Sequence, residues 1–288
     1  MSDMLDLITM INKLFLLVCL LSALTSCTPN LEPDPMTTIP MTPIPSSPSP
    51  ATEWWHPVPG LTWQWQLDEE VDTSVEAQVY DIDLYADQSA IDALHARGVK
   101  VICYISVGSQ ENWRPDADQF PVEVLGKDYD GWPGEKWLDI RRIDLLAPIM
   151  RARLDLCAAK GFDGVEPDNI EIYDNDTGFP LTFDDQLAYA HFLADEAHAR
   201  GLAIALKNAP DMVASSLSFF DFAITEDAFY YQWIGKMLPF IENGKPIFAA
   251  EYTDMNVDFS AACEWGREHN VTFILKNRIL TAFRVTCP

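Results

Sequence analysis

Acidic residues recur in this chain at the ends of short β-forming runs. Glu166-Pro167-Asp168 closes GVEPD, Glu226 and Asp227 follow FAIT, Asp83 ends VYDID, and Glu251-Tyr252 follows PIFAA. Lys207-Asn208 and Lys276 end two further runs, and Tyr104 with Ser106 stands near the end of KVICYISV. Two carboxyl groups facing each other across a bond are the equipment for cleaving an acetal: one protonates the leaving oxygen, and the other acts as nucleophile or base. Asp168 or Glu166 from one run and Glu226 from another supply such a pair. Lys207 or Lys276 would keep one of them ionised while the more desolvated partner keeps its proton. Serine or cysteine nucleophile chemistry has no recognisable His and acid beside it, and His95, His191 and His198 all fall in helical stretches. CxxC metal spacing is absent, so neither a metal nor another cofactor is expected.

Such a constellation needs a scaffold that brings many strand ends to one face. Strands are predicted at Thr62–Leu67, Val79–Leu84, Lys100–Val107, Gly164–Asp168, Ala203–Asn208, Phe222–Glu226, Pro246–Thr253 and Thr272–Asn277. Helical patterns lie between them at Ser89–Arg97, Leu145–Lys160, Asp184–Arg200, Ile234–Glu242 and Phe259–Asn270, and the second carries Leu146, Met150, Leu154 and Cys157 on one stripe. Basic-Gly pairs at 97–98, 160–161 and 200–201 stop three helices immediately before strands. Eight strands alternating with helices predict an α/β fold, a (β/α)8 TIM barrel, whose site forms at the C-terminal strand ends. Little helix separates the first two strands. A doubly wound open sheet is the alternative, though no GxGxxG or Walker-type loop follows any strand. Aromatic residues accompany the strand ends: Trp63, Trp65, Trp113, Trp132, Trp137, Tyr173, Phe229, Tyr230 and Tyr231 could stack on sugar rings or simply pack a core.

The chain has 288 residues, 48% of them apolar and 22% charged, a composition able to bury a large core. Acidic residues outnumber basic ones 44 to 19, a formal charge of −25, which disfavours nucleic acid and favours a cationic partner. Phe15 to Ala23 is an apolar stretch too short to span a bilayer, laid out as a secretory signal. Leu24-Thr25-Ser26-Cys27 resembles a bacterial lipobox, which implies cleavage before Cys27 and lipidation of its thiol. Met1 to Met10 carries Asp3 and Asp6 but no base, so a start at Met10 would give the more regular signal, with Lys13 at its head. Residues 27–52, rich in Pro, Ser and Thr, read as a semi-rigid tether. The expected plan is a signal over 1–26, a lipidated tether over 27–52 and a barrel over 53–288, a monomer held at the bacterial cell envelope by its lipid anchor. Of the remaining cysteines, Cys263 and Cys287 are the better candidates for a disulfide; Cys103 and Cys157 sit in apolar runs and could be core.

The strings YDIDLYA, VICYISVGSQENWRPDADQF, EKWLDIR, GFDGVEPDNIEIY, LKNAPD, AITEDAFYY and AAEYTD occur in this order. Together they resemble glycoside hydrolase family 114, the endo-alpha-1,4-polygalactosaminidase family, from about Trp63 to Lys276. The resemblance implies a barrel that cleaves alpha-1,4-linked galactosamine polymers, with Asp168 and Glu226 as catalytic carboxylates. Asp227 stands where a second acid is common, and Ala228 replaces the cysteine expected next. Glu166, two residues before Asp168, would lie one layer deeper as a charge partner for Lys207. Asp83, Tyr104, Glu166, Lys207, Asn208, Asp227, Glu251 and Tyr252 are the expected substrate-binding residues, their acids suited to an ammonium sugar. A surface carbohydrate-binding lipoprotein that keeps the barrel without turnover is the alternative.

Overall fold

The structure, a computed structural model, describes residues 53–288. The signal, Cys27 and the tether lie outside the described residues. Strands β1 (Trp63–Gln66), β2 (Val79–Asp83) and β3 (Lys100–Ser106) are followed by three short strands, β4 (Ser109–Glu111), β5 (Leu125–Asp128) and β6 (Glu135–Leu138). Then come β7 (Gly164–Asp168), β8 (Ala203–Lys207), β9 (Phe222–Glu226), β10 (Ile247–Tyr252), β11 (Thr272–Lys276) and β12 (Val285–Thr286). The main sheet runs β1-β2-β3-β7-β8-β9-β10-β11, parallel throughout, with β12 antiparallel on its end. All eight predicted strands are therefore present, in chain order around the curl. β4, β5 and β6 make a separate antiparallel sheet inserted after β3, which the alternation of the main strands does not announce.

Helices α1 (Gln88–Ala96), α2 (Ile143–Lys160), α3 (Phe183–His198), α4 (Val213–Ser216), α5 (Pro239–Glu242) and α6 (Phe259–His269) occupy the connections. The predicted stripe of α2 is buried, and Gly98, Gly161 and Gly201 take the positive φ that a helix stop before a strand requires. The expected helix over Ile234–Glu242 is split into a 3-10 turn at Ile234–Met237 and α5, because Pro239 has no N–H to continue the ladder.

Strand alternation sorts the side chains into two cores. One face, with Ile82, Val101, Val165, Leu206 and Ala249, packs under the helices; the other, with Trp63, Trp65, Phe222, Phe248 and Ile274, fills the barrel. Trp63 lies 5.4 Å from Phe248 by ring centroids, and Phe222 meets Phe248 edge-on at 5.9 Å. Such pairs each add about 0.5–1.5 kcal/mol beyond their burial. No helix follows β1 to cover its outer face. Gln64 and Gln66 meet that need by bonding backbone carbonyls of Ala282, Asp68 and Glu70. The two ends of the sheet meet where Leu67 N–H donates to Leu280 O at 2.9 Å.

Both cysteine pairs are bonded. Cys263–Cys287 fastens the C-terminal segment to α6 as anticipated, and Cys103–Cys157 joins β3 to α2 although both residues are fully buried in the core. An apolar setting and a disulfide are compatible, because the bond leaves no polar group to solvate.

Candidate active site

Strands β7, β8 and β9 end in one motif: a polar residue pointing into the barrel, followed by Asn or Asp in the left-handed region. The pairs are Asp168-Asn169 (φ 59), Lys207-Asn208 (φ 52) and Glu226-Asp227 (φ 50). Asn and Asp tolerate that conformation better than other non-glycine residues, so each strand stops and turns there, leaving its last inward side chain at the mouth. Gly108 secures the first of these turns, since a Cβ on it would stand 1.8 Å from the Asn169 carbonyl oxygen.

Lys207 is the hub. Its buried Nζ lies 2.7 Å from Asp168 Oδ1, 2.8 Å from Glu166 Oε1 and 3.1 Å from Glu226 Oε2. The Trp65 ring faces it, 4.8 Å from centroid to Nζ, so cation and aromatic face attract. Burial opposes the lysine charge, yet Asp168, Glu166 and Glu226 together hold its pKa well above the ordinary value. Asp168 is likewise penalised by burial, but Lys207, the Tyr104 hydroxyl at 2.8 Å and the Asn169 N–H keep its carboxyl below the usual range. Glu226 accepts from the Tyr252 hydroxyl and from Asn208 Nδ2 at 3.3 Å, while its own N–H donates to Asn208 Oδ1.

These groups open into a cavity of about 350 Å³ that Asp168, Lys207, Asn208, Glu226, Tyr104 and Tyr252 all line. Trp65, Tyr129 and Trp132 give it flat apolar walls, and Arg278 borders it. Two carboxyl groups absent from the sequence expectations also reach it, Glu171 from the loop after β7 and Glu135 from β6. Burial and then the Asp168 charge push Glu171 up to about 8; burial, despite the Ser109 hydroxyl, pushes Glu135 to about 7.

The remaining sequence candidates lie elsewhere. Glu166 is fully buried beneath Lys207, with its carboxyl pushed to about 7 mainly by burial. Asp83 pairs with Arg114 at 2.6 Å and borders a neighbouring groove. Asp227 holds Arg278 at 2.9 Å. Glu251 has the parity of Ala249 and so faces the helices, where it accepts the N–H groups of Phe229 and Tyr230 at 2.8 and 3.1 Å. Lys276 meets no carboxylate among the described residues: its Nζ donates to the carbonyls of Thr281 and Phe283, and burial lowers it to about 7.

The raised carboxyls fix the sign of a pH effect on stability. Glu135, Glu166 and Glu251 at about 7, and Glu171 at about 8, each keep a proton that the unfolded chain, near 4.5, has given up. Their contribution is fully present below 4.5 and is lost as pH rises through 7 to 8. Asp168 works oppositely, but only as pH falls below 3.8. Thermal unfolding should therefore give a higher midpoint at about pH 5 than at about pH 8; equal midpoints would mean that these groups titrate as in the unfolded chain.

A family model described as glycoside-hydrolase family GH114 matches residues 45–288. Among solved structures, Ega3 of Aspergillus fumigatus, in complex with galactosamine, is 42% identical with a TM-score of 0.77, covering 82% of this chain and 98% of that one. The glycoside hydrolase domain of PelA from Pseudomonas aeruginosa has a TM-score of 0.62 at 12% identity, over 79% of this chain and 98% of that one, a likeness of fold. An uncharacterized protein of Deinococcus radiodurans is 26% identical over 194 residues, 60% of this chain, and the chain spans 62% of the length of that curated relative.

Proposed function

The chain belongs to glycoside-hydrolase family GH114 and is a glycosidase on a TIM barrel, and from that premise we propose that it cleaves alpha-1,4-linked galactosamine-containing polysaccharide through Asp168 and Glu226. The observation that carries this reading is the sharing of one ammonium, Lys207 Nζ, by both carboxyl groups at the floor of an aromatic-walled cavity. The 42% identical neighbour that holds galactosamine supports the substrate class, and the excess of 44 acidic over 19 basic residues suits a polymer of ammonium sugars.

Asp168, held ionised by three donors, is the nucleophile. Glu226, held less closely by Lys207 at 3.1 Å against 2.7 Å for Asp168, is the acid that protonates the leaving oxygen. One nitrogen bonding both at 2.7 and 3.1 Å leaves those two oxygens no more than about 6 Å apart. Two carboxyl groups drawn to one nitrogen favour the close separation of a retaining pair, about 5–5.5 Å, over the wider one, about 6.5–9.5 Å, that admits an inverting water. Asp168 then attacks the anomeric carbon as the leaving oxygen takes the Glu226 proton, and water releases the glycosyl ester with Glu226 as base.

The test is to incubate the barrel domain with partly deacetylated galactosaminogalactan, size the products and follow the anomer first formed. Short amino-sugar oligomers with retained configuration are expected, with the rate falling as salt is raised. Equal cleavage of a neutral alpha-galactan would defeat the substrate reading, and an inverted first product would defeat the assignment of a nucleophile.

The N-terminal sequence supports a lipoprotein of the bacterial cell envelope, anchored through Cys27. Metabolic labelling with palmitate should mark the intact protein, and Cys27→Ala should abolish both the label and processing. Normal processing of that variant would instead indicate an ordinary secretory signal.

A further inference from the structure

With Asp168 and Glu226 assigned to bond cleavage, the cavity still contains carboxyl groups that take no part in it. Glu171 is the better placed of the two. Its Oε1 accepts from Asn208 Nδ2 at 3.3 Å, and the same nitrogen lies 3.3 Å from Glu226 Oε2, so one amide ties Glu171 to the acid. Its other oxygen, Oε2, is buried and has no hydrogen-bond partner among the described residues. A buried oxygen without a partner is costly, and a bound group that supplies a donor removes the cost.

We propose that Glu171 reads the 2-ammonium group of the sugar under attack, its Oε2 accepting the charge-assisted hydrogen bond. This inference rests on the functional reading above. In galactosamine the nitrogen is carried on the carbon next to the anomeric one, so its reader must stand beside the catalytic pair. The Asn208 bridge places Glu171 there, whereas Asp83, Asp227 and Glu251 are engaged by Arg114, Arg278 and two backbone N–H groups. Glu135, the other uncommitted carboxyl, is already bonded by the Ser109 hydroxyl. An acetamido group offers one N–H and a methyl in place of three ammonium protons, so the same contact discriminates against acetylated sugar.

The groups facing Glu171 set its protonation: Asp168 on β7, Lys207 on β8, Glu226 across Asn208, and Tyr129 from the inserted sheet. Burial and Asp168 favour the neutral acid. When an ammonium arrives, the carboxylate form becomes the better partner. The Glu171 carboxyl then gives its proton to solvent, and a carboxylate–ammonium pair remains.

Calorimetry with galactosamine and with galactose, which differs by a hydroxyl in place of the amine, tests this on the whole enzyme. Wild-type protein should bind galactosamine in preference to galactose and, at about pH 6, release close to one proton per galactosamine, read from two buffers of different ionisation heat. Glu171→Gln should weaken galactosamine binding about tenfold or more, abolish the proton release and leave galactose binding unchanged. Equal weakening of both sugars would reduce Glu171 to a wall of the cavity and overturn the proposal. So would proton release that persists in the variant, which would pass the role to Glu135, or wild-type binding that releases no proton. An enzyme that neither cleaves the amino polymer nor binds galactosamine would overturn the functional reading itself, whereas cleavage with an unaltered amine preference in Glu171→Gln would overturn this assignment alone.

Discussion

Asn in place of Asp168, or Gln in place of Glu226, should each reduce turnover by a factor on the order of 10² or more, with folding and polymer binding kept. Both replacements preserve shape; in Glu226→Gln Lys207 keeps Asp168, and in Asp168→Asn the loss of the Asp168 charge, which holds Glu166 up, lets Glu166 ionise against Lys207, so no buried cation is orphaned. The two variants should separate on an aryl glycoside whose leaving group needs no proton. Glu226→Gln should show a rapid burst of the aryl leaving group on that substrate, because its departure needs no acid, and then slow at the glycosyl ester, whose hydrolysis has lost its base. Asp168→Asn should not, since without the nucleophile no glycosyl ester forms. The opposite pattern would exchange the two roles. Near wild-type turnover by either variant would remove that residue from the chemistry and direct attention to Glu171, which shares the cavity.

Lys207→Met should be as damaging by a different route. Three carboxyl groups within 3.1 Å of one ammonium would lose their common counter-charge. Breaking a buried pair by removing one partner typically costs about 3–5 kcal/mol. Here part of that cost is avoided by taking up protons, and a protonated Asp168 is no nucleophile. Turnover should therefore fall at least as far as in Asp168→Asn. The stability deficit relative to wild type should widen as pH rises, because the orphaned carboxyls must then ionise side by side. Chemical denaturation at about pH 5 and about pH 8 measures this; a deficit that does not grow with pH would mean that Lys207 contributes packing against Trp65 rather than charge. Lys207→Arg should not rescue activity, because a planar fork cannot reach three acceptors arranged around a single nitrogen.

The strand ends were legible because each carries its signal locally: a β-branched or apolar run, a charged residue, then Asn, Asp or a turn. Which way a terminal side chain points was less so. Glu226 and Glu251 look alike as sequence, but Glu226 shares the parity of Phe222 and Ile224 inside the barrel, and Glu251 that of Ile247 and Ala249 beneath the helices. Period-two counting from the barrel-filling aromatics separates them and was the signal available. For Glu171 no periodicity existed, since it follows the strand in a loop whose path depends on Gly108 and Gln186; the Gln186 Oε1 accepts the N–H groups of Ile172 and Tyr173. Glu135 was hidden for a related reason: it belongs to an antiparallel excursion that has no counterpart in the repeat of strand and helix. Lys276 resembled Lys207 by position, yet the open seam between β1 and β11 leaves it carbonyl oxygens to bind.

That excursion divides the lining of the cavity between two sheets. The parallel strands carry Asp168, Lys207 and Glu226, while the excursion from β4 to β6 brings Tyr129, Trp132 and Glu135 to another wall, with a ladder of its own and no strand pairing to the parallel sheet. The wall is fastened to the barrel by side chains and loop backbone: Asn169 Nδ2 donates to Ser109 Oγ at 3.3 Å, Arg153 on α2 holds Asp116, and Lys127 N–H donates to Thr177 O at 2.9 Å. The shape of the sugar site is therefore set by side-chain ties between the two sheets, which can change while the strand register of β7, β8 and β9 stays as it is.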